Sequence, residues 1–241
     1  MLGLGLQATL TNEGGGIAKK QPVKDGLVMY HQYQDFPTDS LRLSFPSEGS
    51  GEFNGTSDYI QLPTPFSYTN HTIAAWVYID ETPVSTKIFF DNRDANDDGI
   101  IFLINTTENI RYSVNATDLS TNTLPINEWV YVVGTYDGTT AKLYFDGSLN
   151  DSTAISTTIN VATNLVIGAE ADFTNNFDGN LANVAIWNRA LTSDEINTAM
   201  WASYDQLPIS IKVGLQAWYA LDNITGTDVP DSTGNYNGTA Y

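Results

Sequence analysis

The chain has 241 residues, a length that one large β-sandwich domain can fill, and 41% of them are hydrophobic, which is enough for a sizeable core. Its formal charge is −18, so repulsion argues against binding to nucleic acid or to anionic membranes. The chain has no cysteine, which excludes disulfides and Cys-ligated zinc, and no apolar run is long enough to predict membrane insertion.

The first 24 residues show no hydrophobic periodicity and contain the glycine run Gly14–Gly16. We interpret residues 1–24 as an extended arm that either anchors the protein to a partner or is disordered. The opening stretch Met1–Leu10 lacks a basic segment and is broken by glycines, so we do not interpret it as a signal peptide.

From residue 26 onward, short runs of β-branched and aromatic residues alternate with turn signals, which is typical of a sandwich. The predicted strands are Ile73–Ile79, Lys87–Phe90, Gly99–Ile104, Ile110–Val114, Trp129–Tyr136, Ala141–Phe145, Leu165–Gly168 and Asn183–Trp187. Asp146 and Gly147 predict a hairpin turn of type I′. We assign Trp76 and Trp129 to the core.

One segment has helical character. Thr192 with Glu195 three residues later forms a capping-box pattern, which predicts a short helix from about residue 192 to residue 200. After it, residues 206–241 repeat features of the module's start, since Tyr236–Thr239 resembles Phe53–Thr56. This tail is too short for a core of its own, so we expect its strands to pair with the sandwich or with a neighbouring chain.

Four segments together resemble the laminin G-like modules of the concanavalin A-like lectin and glucanase superfamily. They are Phe53–Ile60, Thr72–Tyr78, Trp129–Gly147 and Ile167–Ile196. The resemblance implies an all-β jelly-roll β-sandwich with one short helix near the C-terminal end of a module at residues 25–205. Many relatives carry an acidic pair that serves calcium in some of them, and Ala182 and Asn183 replace it here.

The segment Asp91–Gly99 concentrates carboxylates and amides. Its second half matches the first half of an EF-hand loop, although Asn105 stands where that loop needs a glutamate. Two interpretations stay open, a calcium site and an acidic loop that is only solvated. The calcium interpretation uses Asp91, Asp94, Asn96 and Asp98 as metal ligands, with Asn92, Asp97 and Tyr112 as ligand-binding residues.

Sugar binding by aromatic stacking at the rim of the sandwich is a further hypothesis, with Tyr68, Tyr112 and Trp187 as candidate aromatic residues. Hydrolysis is not expected. Glycosidases of this superfamily use two carboxylates on one strand, and the nearest match, Glu170–Asn175, lacks the final acid.

We therefore predict a non-enzymatic binding, adhesion or decoration module on a particle surface. The resemblance extends to structural proteins of marine phages, which implies location on a virion and attachment to other virion or surface proteins through residues 1–24. Cell-surface glycans are a candidate partner, and pairing of the C-terminal strands with another copy would make the protein a homo-oligomer. The alternatives are a lectin that a bacterium secretes or carries on its surface, and a glycoside hydrolase.

Overall fold

The apolar runs form strands of two antiparallel sheets in the computed structural model, which describes residues 49–63, 69–94, 96, 98–155, 159 and 164–241. The predicted arm at residues 1–24, and the start of the predicted module as far as residue 48, lie outside the described residues. The all-β sandwich with one short helix near its C-terminal region is therefore confirmed.

The first sheet has seven strands. In spatial order they are β1 (Gly51–Asn54), β12 (Asp178–Trp187), β3 (His71–Tyr78), β8 (Val130–Tyr136), β9 (Thr140–Phe145) and β10 (Ser148–Ala154), with β13 (Leu215–Tyr219) also paired to β12. Asp146 and Gly147 connect β9 to β10 with φ angles of 48° and 76°, as a type I′ turn requires.

The second sheet has eight strands. In spatial order they are β14 (Asp228–Val229), β15 (Gly238–Ala240), β2 (Ile60–Leu62), β11 (Leu165–Ile167), β4 (Lys87–Asp91), β5 (Ile100–Ile104), β6 (Asn109–Val114) and β7 (Thr117–Thr123). Strands β7 and β10 were not expected from the sequence. Both are edge strands that bury little apolar surface, so their residues are mainly short and polar. Short polar residues are also typical of turns, and the sequence therefore carries no strand signal there.

The main core lies between the two sheets. At its centre the rings of Phe102 and Tyr112 stack with centroids 4.7 Å apart, and both rings press against the backbone of Gly134 in β8. A Cβ atom on Gly134 would lie 2.5 Å from Phe102 Cζ, so this position requires glycine for close approach rather than for a special φ angle.

A second hydrophobic cluster lies on the outer side of the first sheet, where Trp76, Trp187 and Trp218 are fully buried. It is covered by α1 (Ser193–Met200), by the segment that follows α1 and by α2 (Ile209–Lys212), which was not expected from the sequence. The capping box of Thr192 and Glu195 is present, so the predicted helix is confirmed.

The C-terminal strands complete both sheets within this chain. Strand β13 pairs with β12 in the first sheet, and β15 pairs with β2 in the second. The connection is held by Asp231, which is buried and accepts hydrogen bonds from four backbone amides, including that of Trp218 at 2.8 Å. Residues 206–241, which repeat features of the module's start, therefore add strands to the same sandwich.

One detail differs from the sequence interpretation and a second extends it. Trp129 is half-buried rather than part of the core, because it precedes β8 and packs with Tyr78, with ring centroids 5.5 Å apart. Asn183 occupies a bulge of β12, with a φ of 48°, and its side-chain oxygen accepts a hydrogen bond from Trp218 Nε1 at 3.3 Å. Asn183, one of the two residues that replace the acidic pair, thus contacts the tryptophan cluster on the outer side of the first sheet.

Candidate functional site

The loop between β11 and β12, residues 168–177 (the 168–177 loop), carries an exposed aromatic residue at its tip. Backbone hydrogen bonds close it on itself, from Phe177 N to Gly168 O at 2.8 Å and from Glu170 N to Thr174 O at 2.9 Å. At its tip Phe173 has a φ of 69°, a left-handed conformation that is costly for an aromatic residue. The ring of Phe173 is nevertheless 36% exposed.

Phe173 belongs to a stack of three aromatic rings, which we call the aromatic platform (Tyr59, Phe173 and Tyr241). Tyr59 stacks with Phe173 at a centroid distance of 4.7 Å and with Tyr241 at 4.9 Å. Tyr241 is 60% exposed, and its backbone amide donates to Tyr59 O at 3.0 Å, which extends the pairing of β15 with β2. The platform is therefore anchored to the second sheet at the ends of β15 and β2.

Polar groups surround the platform. The turn before Tyr59 is organised by the side-chain oxygen of Asn54, which accepts hydrogen bonds from the amides of Thr56, Ser57 and Asp58. In the 168–177 loop, Asp172 is exposed, and its carboxylate accepts hydrogen bonds from Thr174. Exposed apolar ring surface bordered by hydroxyls, amides and carboxylates can make both stacking and hydrogen-bonded contacts with a small polar ligand.

An ion-pair cluster joins the 168–177 loop, which carries Phe173, to a distant part of the chain. Arg93 reaches Asp91 through Nε at 3.1 Å and through Nη2 at 3.2 Å, and the same Nη2 contacts Glu170 Oε1 at 2.8 Å. The amide of Ala171 also donates to Asp91 Oδ2, at 3.1 Å. Burial raises the pKa of the Asp91 carboxyl, while Arg93 opposes that shift.

The other residues of the acidic loop are used within the loop. Asp94 Oδ1 accepts the amides of Asn96, at 2.8 Å, and Asp98, at 3.1 Å, which also keeps the pKa of Asp94 below its ordinary value. Asn92 is buried, and its side-chain oxygen accepts the Ile100 amide at 2.7 Å. Asp97 lies outside the described residues.

These contacts test whether a calcium ion fits the acidic loop. Calcium needs six to eight oxygens converging at 2.3–2.6 Å. The oxygens of Asp91, Asp94 and Asn92 instead accept hydrogen bonds from protein donors, and within the part of the chain that the structure describes no group of three or more His, Cys, Asp or Glu side chains could hold a metal ion. The calcium interpretation stays a prediction, because Asp97, a candidate residue of the same loop, lies outside the described residues.

The aromatic residues named from the sequence lie elsewhere. Tyr112 has no exposed surface, and its hydroxyl lies 2.6 Å from His71 Nε2 in the core, where burial raises its pKa. Trp187 is equally buried, and its Nε1 donates to Ile211 O at 2.8 Å. Neither ring can contact a ligand from these positions. Tyr68 lies outside the described residues.

The sequence interpretation missed all three residues of the aromatic platform. Phe173 carried the strongest signal, because an aromatic residue between polar turn formers has no apolar neighbours in sequence to pack with. Tyr59 and Tyr241 gave no such signal, since only the pairing of β15 with β2 brings them together. None of the described helices is long and apolar enough to cross a membrane.

Comparison with known proteins agrees with this architecture. A sequence model of the Laminin_G_3 family, described as concanavalin A-like lectin/glucanases superfamily, matches residues 54–197. No curated protein matches the chain.

Several solved structures share the fold at identities below 25%. A candidate carbohydrate binding protein from Bacteroides ovatus superposes with a TM-score of 0.65 and 19% identity, and the match covers 79% of this chain and 57% of that one. A native heptameric SAP-like pentraxin from Limulus polyphemus has a TM-score of 0.53 and 17% identity, with coverage of 71% and 91%.

The botulinum neurotoxin serotype D ligand binding domain, solved in complex with N-acetylneuraminic acid, has a TM-score of 0.50 and 19% identity, with coverage of 61% and 41%. The match to the Bacteroides protein covers 57% of that protein, so this chain spans little more than half of its length. Because the family match extends over more than half of the chain and agrees with the observed sandwich, the chain belongs to the concanavalin A-like lectin/glucanases superfamily.

Proposed function

We propose that this chain is a non-enzymatic carbohydrate-binding module whose ligand stacks on the aromatic platform. The observation that carries the proposal is the exposure of Phe173 and Tyr241 beside the polar groups of the 168–177 loop. Exposed rings that stack into one contiguous surface can mark a ligand-binding site, and the left-handed backbone of Phe173 is the kind of cost that functional sites retain. The solved structures of similar fold include carbohydrate-binding proteins, which supports the proposal.

The ligand that this surface favours is an uncharged glycan. The chain carries 28 acidic and 10 basic residues, and Asp58, Glu170 and Asp172 lie on or beside the platform segments. Among the described residues two cations contact these segments, and both are engaged: Arg93 with Asp91 and Glu170, and Lys87 with the backbone oxygen of Gly55 at 3.0 Å. An anionic sugar would therefore meet repulsion both locally and at long range.

The carboxylates near the platform are part of the loop structure. Glu170 accepts hydrogen bonds from Arg93 and from Asn175 Nδ2, the latter at 2.6 Å, and Asp172 accepts those of Thr174. A glycosidase needs one carboxyl group as acid and a second as nucleophile or base, with the scissile bond between them. Carboxylates held by their own loop support a binding role over hydrolysis.

Affinity electrophoresis through gels that contain neutral polysaccharides, followed by a printed glycan array, tests the proposal. We expect wild-type protein to be retained by at least one neutral glycan. Phe173→Ala and Tyr241→Ala should each weaken that binding by roughly fivefold to thirtyfold, because truncating an aromatic anchor costs on the order of 1–2 kcal/mol.

Leu149→Ala is the matched control, since Leu149 is 54% exposed on β10 and does not belong to the platform. Binding of the two platform variants at wild-type strength would refute the assignment, and so would retention by anionic glycans alone.

We propose a virion surface as the setting of this module, with a secreted or cell-surface lectin as the alternative. The support comes from the sequence, through the resemblance to phage structural proteins, and attachment through residues 1–24 and homo-oligomer formation belong to the same proposal. Sedimentation of the full chain measures its oligomeric state, and a monomer at micromolar concentration would contradict the assembly part.

A further inference from the structure

We propose that Arg93 is a built-in cation that positions the 168–177 loop, so that the aromatic platform forms and binds its ligand without a divalent metal ion. The claim that the platform binds its ligand without a metal ion rests on the proposed glycan binding. The claim that Arg93 positions the loop rests only on the contacts of Arg93.

Arg93 holds Asp91 in the fork geometry that arginine and carboxylate groups favour. Nε and Nη2 contact the two oxygens of one carboxylate, at 3.1 and 3.2 Å, and the backbone amide of Arg93 adds a further hydrogen bond of 2.9 Å to Oδ1. The Asp91 side chain is 1% exposed and that of Arg93 is 16% exposed, so water screens this pair only weakly.

The same guanidinium group extends to the 168–177 loop. Its Nη2 contacts Glu170 Oε1 at 2.8 Å, so that one nitrogen joins carboxylates from β4 and from the 168–177 loop. A bound metal ion could join two carboxylates in the same way, so the guanidinium group occupies the position that such an ion would need. The positive charge between them belongs to the chain itself.

The cluster acts directly on the backbone that carries Phe173. Asp91 Oδ2 accepts the amide of Ala171, and Glu170 O accepts the amide of Phe173 at 2.8 Å. The second oxygen of Glu170 accepts Asn175 Nδ2 on the other side of the tip. Loss of Arg93 would leave two carboxylates facing each other without a cation, and their repulsion would open the loop on which the left-handed backbone of Phe173 depends.

Arg93→Met tests this inference, with Arg111→Met as the matched control. Arg111 also forms an ion pair, with Asp118 at 3.2 Å, but both side chains are more than 40% exposed on β6 and β7. We expect Arg93→Met to lower Tm by on the order of 5–15 °C and Arg111→Met to lower it by no more than about 2 °C.

Amide hydrogen exchange supplies a readout that a general loss of stability does not produce. In Arg93→Met the amides of Ala171 and Phe173 should exchange at least tenfold faster under native conditions, while amides of β8 keep their relative protection. Arg93→Lys should restore part of this protection, because an ammonium group can still approach one of the two carboxylates. The positioning role would be overturned if Arg93→Met accelerated exchange equally in the loop and in β8. It would also be overturned if the exchange rates of the Ala171 and Phe173 amides did not change.

Binding of the neutral glycan that affinity electrophoresis identifies is then compared in EDTA and in millimolar calcium chloride. Equal affinity in both, with wild-type Tm also unchanged, is the expected result. Binding that EDTA abolishes would refute metal independence and leave the proposed function intact. If no glycan binds under any condition, the proposed function fails, and the exchange data still decide the role of Arg93.

Discussion

Substitution of Gly134 by alanine tests how closely the two sheets approach each other. The added Cβ atom would lie 2.5 Å from Phe102 Cζ and 2.8 Å from Cδ2 and Cε2 of Tyr112, about 1 Å closer than normal carbon contacts allow. The two rings are buried and stacked on each other, so neither can move aside without disturbing the other. Overpacking of this kind costs about 1–3 kcal/mol, and we expect the upper half of that range.

Differential scanning calorimetry measures the effect. For a domain of this size about 2–3 kcal/mol corresponds to a fall in Tm of roughly 4–12 °C. Phe102→Leu removes the nearest ring atom, so Gly134→Ala should cost less in the Phe102→Leu background than in the wild-type protein. An unchanged Tm for Gly134→Ala, or costs that simply add in the double variant, would refute the described contact between the sheets.

Two further predictions concern the C-terminal half. Asp231→Ala should lower the free energy of unfolding by about 2–4 kcal/mol in urea denaturation, because it leaves buried amides such as that of Trp218 without an acceptor, and a cost below about 1 kcal/mol would contradict the role of this segment. Hydrogen bonds from Arg189 lower the pKa of Glu195 to about 2, from an ordinary 4.5. The stabilisation from Glu195 should therefore be complete above pH 5 and disappear as the pH falls towards 2. Solvent screening limits it to about 1 kcal/mol, and urea titrations of wild type and Glu195→Gln should converge at low pH; a constant difference would contradict this.

The sandwich was predictable because short sequence patterns specify its strands and its helix. The run from Ile73 to Ile79 is apolar on both faces, since β3 lies between the main core on one side and the tryptophan cluster on the other. The capping box of Thr192 and Glu195 likewise determines a helix start from four consecutive residues. Patterns of this length need no knowledge of the tertiary structure.

The candidate site was not predictable in the same way. Asp94, Asn96 and Asp98 form a pattern that suits either calcium ligands or a turn whose side chains accept its own amides, and the contacts of Asp94 in the folded chain are those of such a turn. Arg93 directly precedes that pattern, yet its second partner, Glu170, comes from a loop far along the chain. The aromatic platform depends in the same way on strand register and on the left-handed backbone of Phe173.

A crystal structure of the protein with the neutral oligosaccharide that affinity electrophoresis identifies tests the central claim most directly. Our account predicts a sugar ring packed against the exposed face of Phe173 or Tyr241, with hydroxyls hydrogen-bonded to side chains of the 168–177 loop or of the turn before Tyr59, and no metal ion between protein and ligand. A sugar bound on another face of the sandwich, or bound through a cation at the acidic loop, would contradict it.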